Sequence, residues 1–212
     1  VFMARHHPFP EFGAANQVAT VRVALVALAA GLIGEPRVPA YATAAAIISG
    51  IVTALDRVDG WLARRTKMVS QFGARFDMEV DALLILVLSI LAWQYEKAGA
   101  WIILAGLLRY AFVAAGWLFP WMERPLPPSR RRQTVCVIQI VGSSVVMLPA
   151  IVRPVSVWLA ATLLVTLSAS FLVDVIWLWR ARQRGVRLPA SAESSGEARR
   201  SALRARSRQA DL

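Results

Sequence analysis

Cysteine occurs once in these 212 residues, at Cys136. That excludes an intrachain disulfide and a cysteine-built metal cluster. Histidine is confined to the adjacent pair His6 and His7, which read as surface residues. Acidic side chains are few, 13 against 24 basic ones, leaving a formal net charge of +11. Charged residues make up only 17% of the chain and hydrophobic ones 57%, with a mean hydropathy of +0.52. An ordinary soluble domain is excluded, and one integral membrane domain is expected. No internal repeat is apparent. The basic excess does not point to nucleic acid, because the arginines lie at the ends of apolar stretches and in the tail rather than on a patterned soluble face. Anionic lipid headgroups and phosphate-bearing substrates suit it better.

What the chain has in quantity is apolar sequence. Stretches run over 18–34, 38–55, 82–95, 101–122, 135–152 and 155–179. The third is short unless it begins at Phe76 or Asp77, which brings it to about 20 residues, enough to cross a bilayer. Backbone in lipid must satisfy its own hydrogen bonds, so the expected fold is all-α with six transmembrane helices. Residues 1–17 read as a cytoplasmic or interfacial segment, 18–180 as the six-helix domain, and 181–212 as a basic, disordered cytoplasmic tail. A cleaved signal peptide rivals the first span, since Arg22, the run 23–30 and the small residues at 29–31 imitate its three regions. An uncleaved span is the preferred reading.

Basic residues set the orientation. One loop carries Arg57, Arg64, Arg65, Lys67 and Arg75, another Arg124, Arg130, Arg131 and Arg132, and the tail nine more arginines. The alternate loops hold only Arg37, Lys97 and Arg153. Both termini and the first of these loops therefore face the cytoplasm of a bacterial-type inner or plasma membrane. Trp93, Trp101 and Trp158 fall at the far interface, and Trp117, Trp121, Trp177 and Trp179 at the near one.

The most informative stretch is 56–81, DRVDGWLARRTKMVSQFGARFDMEVD. At about 100° per residue, Asp56, Asp59, Gly60, Ala63 and Arg64 share one helical sector roughly 140° wide. Asp77 and Asp81, at i and i+4, share a face of the next helix. Packed antiparallel across a turn near Ser70 and Gln71, the two helices would bring four carboxylates together. Like charges that close repel unless something positive lies between them. Hard divalent cations such as magnesium or manganese suit an all-oxygen site, and two would leave positions open for phosphate oxygens. Ordinary ion pairing with nearby arginines explains any one of these acids but requires none of the glycines.

The pattern D-x2-D-G-x2-A-R-x8-G-x3-D-x3-D, complete here as Asp56, Asp59, Gly60, Ala63, Arg64, Gly73, Asp77 and Asp81, resembles the signature of the CDP-alcohol phosphatidyltransferases. The resemblance implies a six-helix membrane fold and transfer of a phosphatidyl group from CDP-diacylglycerol to an alcohol, with release of CMP. It implies Asp56, Asp59, Asp77 and Asp81 as ligands of two magnesium or manganese ions, and Asp81 also as general base. Asp56, Gly60, Ala63, Arg64 and Gly73 would cradle the nucleotide, and a homodimer is possible. Asn16 and Arg22 keep the spacing of the family's usual entrance, with Ala19 where its threonine would fall and Thr20 beside it.

Three features lie outside the motif. Arg109, near the middle of the fourth span, should face a polar cavity or an acid, either a substrate phosphate or a buried aspartate. Arg130, Arg131 and Arg132 at the entrance to the fifth span suit phosphate, though positive-inside topology also demands them. These four arginines are the candidate acceptor contacts, favouring a phosphorylated polyol such as glycerol 3-phosphate or an inositol phosphate over choline or serine. Asp174 is a candidate partner for Arg22, Arg109 or Arg180. A divalent-metal transporter is the rival reading: it accounts for the four acids but leaves the glycines, Ala63 and Arg64 unexplained.

Overall fold

A computed structural model describes residues 14–65, 71–124 and 126–183, without the side chains of 14–16, 59–64, 71, 72 and 74. All regular structure among the described residues is helical. The helices are α1 (Ala14–Ala30), α2 (Pro39–Arg65), α3 (Gln71–Gln94), α4 (Ile103–Leu118), α5 (Arg130–Met147) and α6 (Val155–Gln183), with 3-10 turns at Ala100–Ile102 and Pro120–Met122. The interfacial segment expected over 1–17 is already helical from Ala14, and the tail expected from 181 begins inside α6. The rest of both, 1–13 and 184–212, lies outside the described residues.

Local chemistry accounts for the ends. Pro39 opens α2, where its missing N–H would have had no partner and its fixed φ suits the first turn. Beyond α4, Phe119 is extended in front of Pro120, which cannot continue a helix. Arg180 and Arg182 lie in the last turn of α6, where cations meet the negative end of the helix dipole. Gly34 turns the chain out of α1 at φ +89°, a conformation that favours glycine. Its N–H donates to Gln94 Oε1 at 2.8 Å, and Gln94 Nε2 donates to the Glu35 carbonyl at 2.9 Å. The α1–α2 connection is thereby tied to the end of α3. At the same end Lys97 Nζ donates to the carbonyls of Leu148 and Ile151 at 2.9 and 2.6 Å, and burial lowers its pKa.

Among the described residues, three segments are long and apolar enough to cross a membrane: Pro39–Val58, Ala100–Leu118 and Val155–Gln183. The apolar run in α1, Gln17–Ala30, is shorter. Charged residues occupy the opening turns of α3 and α5, Asp77, Glu79 and Asp81 in one and Arg130, Arg131 and Arg132 in the other. Large apolar side chains stand outward, among them Trp117 and Trp158, 78% and 72% exposed. Such a surface suits hydrocarbon, and the chain is an integral membrane protein.

The packing departs from the antiparallel α2–α3 pair expected from the short connection. Those two helices touch only sparingly, while α1 and α5 each pack on both. The sequence neighbours therefore stand diagonally across a ring α1–α2–α5–α3. A second ring, α3–α5–α6–α4, shares its α3–α5 side. Backbones approach closely at two glycines. A Cβ on Gly106 of α4 would stand 2.4 Å from Leu86 Cα of α3, and one on Gly142 of α5 would stand 2.5 Å from the Leu163 side chain of α6. Small residues at helix contacts are what packing in lipid calls for. The core is built on helical stripes such as Leu84, Leu88 and Leu91, all fully buried.

Candidate metal and phosphate site

The inward stripe of each ring helix ends in a polar residue. On α1, Arg22 precedes Val26 and Ala29 at helical spacing, and all three are buried. On α2, buried Ala45, Ser49 and Val52 lead to Asp56; on α3, Asp77 and Asp81 lead into Leu84, Leu88 and Leu91. On α5, Cys136 stands one turn before buried Gln139 and Ile140. The same periodicity that buries the apolar face therefore delivers five polar side chains to one end of the ring.

There one oxygen each from Asp56, Asp77 and Asp81 lies within 4.8 Å of the others. Arg22 holds them together. Its Nη2 lies 2.9 Å from Asp56 Oδ1 and donates to Asp81 Oδ1 at 2.9 Å, while Nη1 donates to Asp77 Oδ1. The Cys136 thiol donates to the other Asp81 oxygen, Sγ to Oδ2, at 3.6 Å. The Arg22 side chain is 1% exposed, whereas those of Asp56, Asp77 and Asp81 are 26%, 42% and 18% exposed. The cation is sealed and the acids keep access to solvent.

Two like charges 4 Å apart repel by about 4 kcal/mol at the effective dielectric near a protein surface. Three acids and one guanidinium leave a formal charge of −2 among the described groups, 1 − 3. That is the complement of one divalent ion. The donors are all hard oxygens, they converge, and they are open enough for an ion to keep waters, so this set fits magnesium or manganese.

Of the sequence-predicted residues, Asp56, Asp77 and Asp81 are brought together. Asp59, Gly60, Ala63 and Arg64 sit on the α2 backbone, but their side chains lie outside the described residues. Gly73 is exposed near the start of α3. Arg109 pairs with Glu79, Nη2 to Oε1 at 2.5 Å. Its partner is a half-exposed glutamate rather than a buried aspartate, and Glu79 points about 200° around α3 from Asp77 and from Asp81. Arg131 and Arg132 converge on Asp174 of α6, so that acid serves neither Arg22, Arg109 nor Arg180 as expected; Arg131 Nη1 also donates to the Ser170 carbonyl and hydroxyl at 2.6 and 2.8 Å. Arginines in the first turn of α5 oppose its dipole, and the Asp174 carboxylate offsets that. Arg130 stands exposed at the first helical position.

Two residues at the site escaped sequence reasoning in this role. Arg22 was visible as part of an entrance pattern, as the basic end of a rival signal peptide and as a candidate partner for Asp174, and Cys136 as the single cysteine. The available signal was that each sits on an apolar helical face at the end predicted to hold the acids.

Comparison with known proteins gives the chain relatives in sequence. The sequence model of the family described as CDP-alcohol phosphatidyltransferase matches residues 12–185. A CDP-diacylglycerol–glycerol-3-phosphate 3-phosphatidyltransferase of Bacillus subtilis (strain 168) is 32% identical over 77 residues, 36% of this chain. The match spans 40% of that protein's length.

Proposed function

This chain belongs to the CDP-alcohol phosphatidyltransferase family, a family of transferase enzymes, and from that premise we propose that it moves a phosphatidyl group from CDP-diacylglycerol to an alcohol, releasing CMP. The observation that carries the reading is the convergence of Asp56, Asp77 and Asp81 within 4.8 Å at one end of the helical ring. In this reading Asp56, Asp59, Asp77 and Asp81 hold two divalent cations, magnesium or manganese. Bound there, the cations supply charge neutralisation to the diphosphate and to the departing nucleotide phosphate. Asp56, Gly60, Ala63, Arg64 and Gly73 receive the nucleotide, the small residues leaving space for it. Asp81 accepts the proton of the attacking hydroxyl as its oxygen bonds to phosphorus and the bond from phosphorus to the CMP oxygen breaks. Cys136 fixes the orientation of that carboxylate through its other oxygen.

The acceptor proposed is a phosphorylated polyol, with glycerol 3-phosphate first because the Bacillus subtilis relative is named for it. Arg130, Arg131 and Arg132 offer guanidinium groups to its phosphate. Arg109, engaged by Glu79 on another side of α3, is the weakest of the four candidates. All six helices would span the membrane, α3 and α5 with their charged N-terminal ends at the cytoplasmic surface. Both termini would be cytoplasmic, in a bacterial-type inner or plasma membrane, and a homodimer is compatible with this arrangement.

The test is direct: purified protein, CDP-diacylglycerol, manganese or magnesium, and a panel of alcohols, with CMP followed and the lipid product identified by mass. Metal-dependent CMP release with a new phosphatidyl lipid is the expected result, and chelation with EDTA should abolish it. Absence of CMP release with every acceptor, or turnover that persists in EDTA, would overturn the proposal.

A further inference from the structure

We propose that Arg22 is a built-in counter-cation for the carboxylate site, holding the acids in place without metal and giving way when a divalent ion binds. The inference rests on the metal-site reading above and adds a step of exchange to it.

Three observations carry it. First, one guanidinium reaches Asp56, Asp77 and Asp81 through both terminal nitrogens, contacting the Oδ1 atom of each. Second, Arg22 is on α1 while the acids are on α2 and α3, two helices that touch each other only sparingly. The guanidinium therefore ties together helices that would otherwise present facing negative charge with little packing between them. Third, the contacted oxygens belong to the same carboxylates that converge within 4.8 Å. A divalent ion placed among those oxygens and the Arg22 guanidinium compete for one set of negative charges.

The residue type fits the task. Arginine stays charged at any working pH and presents several donors in a fixed planar fork, so it can bridge separate carboxylates. Lysine would offer a single point of charge. At 1% exposure Arg22 cannot be neutralised by water and counter-ions as a surface arginine could. It is held by the acids themselves, and an ion that takes those acids must loosen the hold. Metal affinity is then lowered by a competitor carried in the chain, much as a ligand's apparent affinity falls when its binding-competent state is only partly populated.

Calorimetric titration of Mn2+ into the purified full chain, in wild type, Arg22→Gln and Arg22→Lys forms, decides the matter, together with thermal unfolding of each form with and without Mn2+. Removing the internal competitor should tighten Mn2+ binding in Arg22→Gln about tenfold. That variant should also unfold at lower temperature than wild type without metal, and recover most of the loss when Mn2+ is present. Arg22→Lys keeps the charge but makes fewer contacts, so its affinity should fall between the two. If Arg22→Gln does not fold without metal, the Arg22→Lys affinity carries the test alone. Equal or weaker Mn2+ binding in the variants, with wild type binding normally, overturns the exchange and leaves the metal site standing. A wild-type chain that takes up no Mn2+ overturns both.

Discussion

Asp81 is held on both oxygens, by the Arg22 guanidinium on Oδ1 and the Cys136 thiol on Oδ2. Asp81→Asn keeps the shape but removes the proposed proton acceptor, and CMP release should fall by 10²-fold to 10⁴-fold, the range typical of general-base catalysis, with helix content unchanged by circular dichroism. Cys136→Ala should lower turnover about fivefold, the equivalent of one weak hydrogen bond, and Cys136→Ser should restore most of it. Away from the acids, Asp174→Asn takes the carboxylate from Arg131 and Arg132. A loss of about 2 kcal/mol is expected, seen as a lower unfolding temperature in detergent. Asp56, Asp77 and Asp81 were legible because their spacing alone assigns them to helical faces. Arg22 was not, since Asp77 and Asp81 lie 55 and 59 residues further along the chain and no short-range period reports such a pairing. Asp174 was likewise given the wrong arginines, because nothing local announces that α5 lies against α6.

Among the elements, the two close glycine contacts differ in what they meet, and this separates their expected effects. At Gly106 the obstacle includes the Leu86 backbone, which cannot swing aside; at Gly142 it is the end of the Leu163 side chain. Gly106→Ala should therefore destabilise by about 3 kcal/mol and Gly142→Ala by about 1 kcal/mol, the two ends of the usual range for overpacking. Thermal unfolding of the two variants side by side checks the order. The helices themselves could be read from apolar runs, but their ends could not. α2 runs to Arg65, past the end of its apolar stretch at 55 and through the motif residues already placed on a helical face, and α5 starts at Arg130, ahead of its apolar stretch from 135, because the polar residues at those ends remain helical. The diagonal placement of α2 and α3 was also hidden. A short connection limits how far apart two helix ends can be, but it does not decide which faces meet along their lengths.

For the whole molecule, the proposed orientation puts the end rich in arginine and tryptophan in the cytoplasm. Near that end Trp121 and Trp179 pack edge to face with centroids 5.6 Å apart, Arg182 lies 5.6 Å from the Trp179 ring, and Arg124 donates to the Ala181 carbonyl at 3.2 Å. Reporter fusions after Glu123 and after Gln183 should both behave as cytoplasmic, and one after Glu96 as external. An external reporter signal at either of the first two positions would reverse the orientation.

The reach of Arg22 also bears on how the chain enters the bilayer during synthesis. A ribosome makes α1 seconds before Asp77 and Asp81 exist, at roughly 5–20 residues per second. During that interval the nascent first helix carries an arginine without the acids that hold it in the finished fold, a charge that costs up to about 3 kcal/mol at mid-bilayer and less toward the surface. A chain cut off before Asp56 should fail to retain α1 across the membrane, and Arg22→Leu should rescue it, as read by glycosylation mapping in microsomes. Commitment of the first segment to the lipid would then depend on acids translated well after it.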